Sequence, residues 1–141
     1  MTTTVVPNRP LDLTRETPLR FVVGMPGLEQ YTAYTLIGID GVPVFWLRCD
    51  ETDGLALPLA DAFAVDPAYS FALSDADVAT LALDRPEDTL VFVVLTVRRD
   101  GTITANLFAP VIVNRRSWRA KQVILDGSSY SLHHPVEGFG S

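Results

Sequence analysis

A few groups of residues in this chain carry side chains of the kind that do chemistry, and their spacing decides what each could do. His133 and His134 could ligate a metal or serve as a general base. Neighbours on a strand point to opposite faces, so the pair cannot chelate one ion without distortion and reads as a surface pair. Cys49, followed by Asp50, could be a nucleophile, but nothing nearby in the sequence supplies a base or an oxyanion donor, and a small buried apolar side chain is the simpler reading. The run Gly24-Met25-Pro26-Gly27 lacks the spacing of a phosphate-cradling loop, and no lysine follows it, so it reads as a tight turn. Asp75, Asp77, Asp84, Glu87 and Asp88 could pair for acid–base work, yet a solvated helix face with its caps accounts for all five. On these grounds no catalytic, metal or cofactor site is expected, and the chain is not read as an enzyme.

The aromatic residues are less easily dismissed. On a strand, one of Phe45 and Trp46 must face away from the core, and Trp118 sits among Arg115, Arg116 and Arg119. An exposed aromatic among polar neighbours marks a candidate contact site. The alternative is that Trp46 packs under a loop and Trp118 covers a barrel end. Phe108 precedes Ala109-Pro110, and a proline holds such a stretch at an edge or bulge, where unpaired backbone can meet another chain.

The elements that position these residues are short apolar runs broken by turns. Residues 19–23, 34–39, 42–47, 55–59 and 69–73 read as strands, and Asp40-Gly41 is a hairpin signal between the second and third. The period then changes: Ser74 is a good N-cap ahead of Asp75 and Asp77, and Val78, Leu81 and Leu83 form one apolar face, so one short helix is expected here, ended by Pro86. Residues 90–98 are a near-continuous apolar run of strand length, expected to be buried on both faces, and Asp100-Gly101 is a second hairpin signal leading into 103–107. Strands at 111–113, 121–125 and 130–132 complete a mainly β chain. About seven to nine short strands with one helix at this spacing predict a closed or nearly closed antiparallel β-barrel or sandwich.

At 141 residues the chain fits a single domain spanning 1–141, with 1–8 and 138–141 expected to fray. A domain of this length buries roughly 70% of its unfolded surface, so no disulfide or metal staple is required. The lone Cys49 and the polar residues Arg9, Asp12, Arg15, Glu16 and Arg20 near the start are the pattern of a cytoplasmic chain without a secretory leader. Eleven Lys and Arg against seventeen Asp and Glu give a formal charge of -6, which repels phosphate backbones and argues against direct nucleic-acid binding. No apolar run approaches the roughly 20 residues that cross a bilayer as a helix, so no membrane partner is expected.

Residues 104–114, TANLFAPVIVN, carry the most specific pattern: Asn106 opens a turn, Ala109-Pro110 breaks the strand, and Val111-Ile112-Val113 resumes it with β-branched side chains, the signature of a kinked strand. With Lys121-Gln122-Val123-Ile124-Leu125 after a basic spacer, this stretch resembles the signature of the flagellar assembly factor FliW family. Residues 21–29, FVVGMPGLE, resemble that family's opening, 43–47 one of its strands, and 73–83 its acidic helix. The chain differs where the family usually has Leu-Gln-Ser, reading Leu47-Arg48-Cys49, and carries Leu28 where a phenylalanine is usual.

The resemblance implies a barrel-like cytoplasmic factor that binds flagellin and, alternatively, the RNA-binding repressor CsrA, the carbon storage regulator, so that flagellin translation follows assembly. Phe45, Trp46, Asn106, Leu107, Phe108, Ala109, Pro110 and Asn114 are the partner-binding candidates, the last six being chiefly fold-defining with a partial contact role. Two other functions compete with this one: a barrel that carries a small molecule inside, and a flagellin-only chaperone without translational control.

Overall fold

The computed structural model describes residues 3–6 and 16–137. Its strands are β1 (Thr3–Val5), β2 (Thr17–Phe21), β3 (Ala33–Gly38), β4 (Val44–Cys49), β5 (Ala56–Asp61), β6 (Ala72–Ser74), β7 (Thr89–Val97), β8 (Ile103–Ala105), β9 (Val111–Asn114), β10 (Arg119–Gln122) and β11 (His134–Val136). Two short helices, α1 (Ala62–Val65) and α2 (Asp75–Thr80), cover the outside. The main sheet runs β11-β8-β7-β5-β4-β3-β2-β10-β9, and β9 returns to pair with β7. That closes a ring of seven strands, with β8 and β11 extending from it as a flap.

The barrel is antiparallel, as expected, with one exception: β10 runs parallel to β2, pairing Arg119 with Arg20 and Ala120 with Phe21. Closure explains it. Strands that alternate in direction around a ring can do so throughout only if their number is even, so a seven-membered barrel must contain a parallel contact.

β7 is the hub. Leu90 and Phe92 point into the barrel beside Phe21, Tyr34, Phe45 and Leu47. Val91, Val93 and Leu95 point outward into a second core with Leu73, Leu81, Leu107 and Ile112. Period-two alternation therefore buries both faces, which is why this strand is a near-continuous apolar run.

Opposite β7, β8 and β9 are two halves of one kinked strand. Leu95 pairs with Ala105 and Phe92 with Val111, so residues 106–110 occupy an edge that β7 spans with Val93 and Val94 alone. The excess chain is pushed out as a wide bulge.

Local chemistry accounts for most boundaries. Ser74 Oγ accepts the Asp77 N–H at 3.1 Å, the expected N-cap of α2. The helix is shorter than anticipated: Leu81 caps its end and Ala82 takes φ 54°, well before Pro86. In the hairpins, Gly41 and Gly101 alone adopt the left-handed conformation, at φ 82° and 88°, while Asp100 instead accepts bonds from the Thr102 N–H and hydroxyl. Pro58 sits in β5 just before the residue where pairing with β7 begins, so its missing N–H disrupts no ladder.

Several expectations are corrected. Residues 69–71 are not strand: Tyr69 stacks against Phe71 and Tyr130, and only 72–74 pair, with β1. Of the N-terminal stretch expected to fray, Thr3–Val5 form that partner strand; residues 1–2, 7–15 and 138–141 lie outside the described residues. Residues 130–132 are not a strand either: Tyr130 bonds Ser70 through its hydroxyl, and the final strand is His134–Val136 against β8. Helix α1, capped by Asp61, was not anticipated; four residues are too few to show a helical period.

Candidate partner-binding face

The bulge is the best-built irregular feature of the molecule. Asn106 Oδ1 accepts the N–H groups of Phe108 at 3.1 Å and Ala109 at 3.0 Å, turning the chain out of β8. The carbonyls of residues 107–110 are used: Leu107 C=O accepts the Tyr69 hydroxyl at 2.6 Å, and Ala109 C=O accepts Gln122 Nε2 at 3.0 Å. Phe108 and Pro110 C=O accept the N–H groups of Leu125 and Val123 at 2.8 and 2.9 Å. A loop whose backbone is satisfied to this extent is rigid scaffold.

The eight candidates separate by burial. Phe45 lies inside the barrel, its ring 5.2 Å from that of Phe92 and edge-on to it. Its neighbour Trp46 is 44% exposed on the outer wall, where β3 and β5 set Ile37 and Pro58 in register beside it. Leu107, Ala109, Pro110 and Asn114 are buried, while Asn106 and Phe108 are partly exposed. Asn114 donates to the carbonyls of Leu81 and Ala82 and accepts the Arg116 N–H, tying the end of α2 to β9. Trp118 packs against the inner core with φ 61°, held by backbone bonds to Asn114 and Arg20, and so covers a barrel end.

Around the bulge the surface forms an open groove of about 330 Å³ lined by Pro26, Asn106, Phe108, Ala109, Gln122, Ile124 and Leu132. Ile124 and Leu132 are 50% and 53% exposed. Neither was legible as a surface residue: Ile124 lies in a run that reads as regular strand, and its exposure follows only from the ladder ending at Gln122.

The groups with apparent catalytic potential are occupied or dispersed. Cys49 is buried among the interior side chains, and His133 is exposed while His134 lies in β11. Asp77 pairs with Lys121 at 2.6 Å. Asp88, nearly buried, accepts Arg116 Nε at 2.8 Å in a larger polar hollow shared with Arg85, Glu87 and Arg115. Burial raises the Asp61 carboxyl above its ordinary range, although its bonds to the start of α1 oppose the shift. The N–H groups of Ala33 and Thr32 lower Glu51. Asp61 caps α1, and Glu51 ties the chain after β4 to the start of β3. Among the described residues no group of three or more His, Cys, Asp or Glu could hold a metal ion, and no helix is long and apolar enough to cross a membrane.

The fold defines a class: a small, closed, seven-stranded β-barrel whose interior is filled by side chains, with a braced bulge on its outside. The family model described as FliW protein matches residues 7–136, nearly all of the sequence, and the chain belongs to that family. It is 34% identical to the flagellar assembly factor FliW of Pseudothermotoga lettingae over 90% of this chain and 83% of that one. To the FliW of Ruminiclostridium cellulolyticum it is 35% identical, covering 89% and 87%. A crystal structure of the flagellar assembly factor FliW matches with a TM-score of 0.78 at 30% identity, covering 86% of both chains. These relatives are named as assembly factors, and none of those names indicates a catalytic activity.

Proposed function

We propose that this chain is a cytoplasmic, non-enzymatic flagellar assembly factor that acts by binding, holding flagellin and, when free of it, antagonising the RNA-binding repressor CsrA. The observation that carries this reading is the match to the FliW family across residues 7–136, with the family's signature forming the braced bulge. Charge supports the second partner. A repressor that grips RNA presents a basic surface, and a chain of formal charge -6 is steered onto such a surface and repelled by the RNA itself. The interior supports a surface function over the carriage of a small molecule, because Phe21, Tyr34, Leu36, Leu47 and Phe92 are all fully buried and occupy it. Of the eight candidates, Phe108 and Trp46 are the ones with exposed apolar surface to contribute.

Calorimetric titration against flagellin and CsrA from the same organism, at low and high salt, tests the proposal. The expected outcome is nanomolar to micromolar affinity for both, displacement of CsrA by flagellin, and a CsrA affinity that falls as salt screens the charge. Phe108→Ala is expected to weaken at least one affinity by about tenfold or more. Binding of flagellin alone reduces the function to that of a chaperone, and binding of neither overturns it.

A further inference from the structure

We propose that the open backbone edge at Gln122 and Ile124 receives an extended segment of a partner protein, which adds one more short strand to the barrel and seats an apolar side chain in the groove between Phe108 and Leu132. The inference rests on the proposed function only in taking the partner to be a protein.

The geometry comes from strand alternation. Lys121 pairs with Ile112 of β9, and beyond the ladder Val123 and Leu125 donate their N–H groups to Pro110 and Phe108. Residues 121, 123 and 125 therefore direct their backbone toward β9 and the bulge, and 120, 122 and 124 direct theirs the other way. On that other side Ala120 C=O accepts the Val22 N–H at 3.0 Å, but β2 ends at Phe21 and its chain turns off toward the Gly24 turn. No described backbone group reaches Ile124 there. Natural sheets blunt such edges with lysine, proline or a bulge. Here the strand's lysine, Lys121, is held by Asp77, and the edge presents an isoleucine that is 50% exposed beside an apolar groove.

Charge narrows the occupant. Ile124 also borders an adjoining hollow that contains Asp77 and Asp126. Lys121 neutralises Asp77 at 2.6 Å, whereas Asp126 is exposed and in no ion pair among the described residues. The incoming strand thus carries an apolar residue opposite Ile124 and a basic one toward the Leu125–Ser128 turn, which holds Asp126 in the hollow that Ile124 borders. A second copy of this chain fits poorly, because it brings another Asp126 and another formal charge of -6. A helix fits poorly as well, since its backbone groups are already spent on itself.

Selection of short random peptides displayed on phage against the full chain tests this without any flagellar protein. Selected peptides, once synthesised, are titrated against the wild type, Ile124→Pro and Ile124→Ala, and hydrogen exchange at the Ile124 amide is followed in each wild-type complex. The expected binders alternate as a strand does and carry a basic residue close to an apolar one. Ile124→Pro removes an N–H that bonds nothing among the described residues, so it is expected to keep the thermal midpoint and weaken binding by about tenfold or more, beyond the effect of Ile124→Ala. The Ile124 amide becomes protected in the complex, a readout that stands even if the proline variant folds badly. Failure to select any binder, binders with helical spacing, an unprotected Ile124 amide, or self-association lost in Ile124→Pro would each overturn the proposal. Because flagellin is absent, failure of the flagellin titration and failure of the edge are separate results.

Discussion

At the scale of single residues, Asn114 and Tyr34 are opposite cases of a buried polar group. The Asn114 amide is 3% exposed and fully used, donating to Leu81 and Ala82 and accepting from Arg116. Asn114→Ala leaves those groups without partners and is expected to cost about 1–3 kcal/mol in urea unfolding. Tyr34 is fully buried, and its hydroxyl has no hydrogen-bond partner among the described residues. Burial, reinforced by the nearby Cys49, Glu51 and Tyr31, pushes the phenol from 10.0 up to about 12. Between those values the unfolded chain loses the proton and the folded one keeps it, so the folded state binds more protons and stability falls as pH rises, by about 1.4 kcal/mol per pH unit. Below pH 10 the ionisation contributes nothing. Tyr69, also raised chiefly by burial, adds a second loss of the same sign. Tyr34→Phe is expected to raise stability at neutral pH by about 1 kcal/mol and to make the alkaline limb of a pH–stability curve shallower, leaving the share due to Tyr69. An unchanged limb would show that Tyr34 ionises freely in the fold.

At the scale of elements, the bulge is held by one side chain acting on its own neighbours. Asn106→Ala removes the acceptor for two N–H groups, and the expected result is a loss of about 1–3 kcal/mol with faster hydrogen exchange at Phe108 and Ala109, while β9 stays protected. Asn106→Asp keeps the acceptor and should restore most of the protection. This kink was legible in the sequence because its causes lie within a few residues: an asparagine that turns the chain, a proline that cannot continue it, and a β-branched run that resumes it. The Ser74 cap and the two Asp-Gly hairpins were legible for the same reason. Residues 69–73 alternate as a strand should, yet the alternation at Tyr69 and Phe71 serves an aromatic cluster completed by Tyr130, sixty positions away in the Ser70 hydrogen bond. A local pattern cannot tell those two uses of period two apart. The same limit hid the surface role of Ile124, since whether β2 continues alongside it depends on a turn a hundred residues earlier in the chain. Of the eight site candidates, Phe45 and Trp46 show what remained: strand geometry requires one to face inward, but only the closed barrel decides which.

At the scale of the whole molecule, the consequential arrangement is two cores sharing one wall. Leu90 and Phe92 belong to the barrel interior, and Val91 and Val93 on the same strand belong to the outer core that α1, β6 and α2 close over. An apolar run of strand length made the double burial of β7 foreseeable, whereas the outer core assembles from segments scattered between Val6 and Leu125, which no window of sequence contains. The sharing has a thermodynamic consequence. Neither core can lose its packing while β7 stays in place for the other, so the chain is expected to unfold in one cooperative step. Leu90→Ala removes packing from the inside and Leu73→Ala from the outside, and each is expected to cost about 2–5 kcal/mol. Far-ultraviolet circular dichroism and tryptophan fluorescence should report a single midpoint in both variants, since Trp118 packs on the inner core while the dichroism follows every strand. Were Leu73→Ala to melt in two steps, with the fluorescence of Trp118 surviving the first, the outer core would be a separable layer. The bulge would then rest on a barrel that stands alone, because Tyr69, which braces Leu107 through its hydroxyl, would leave with that layer.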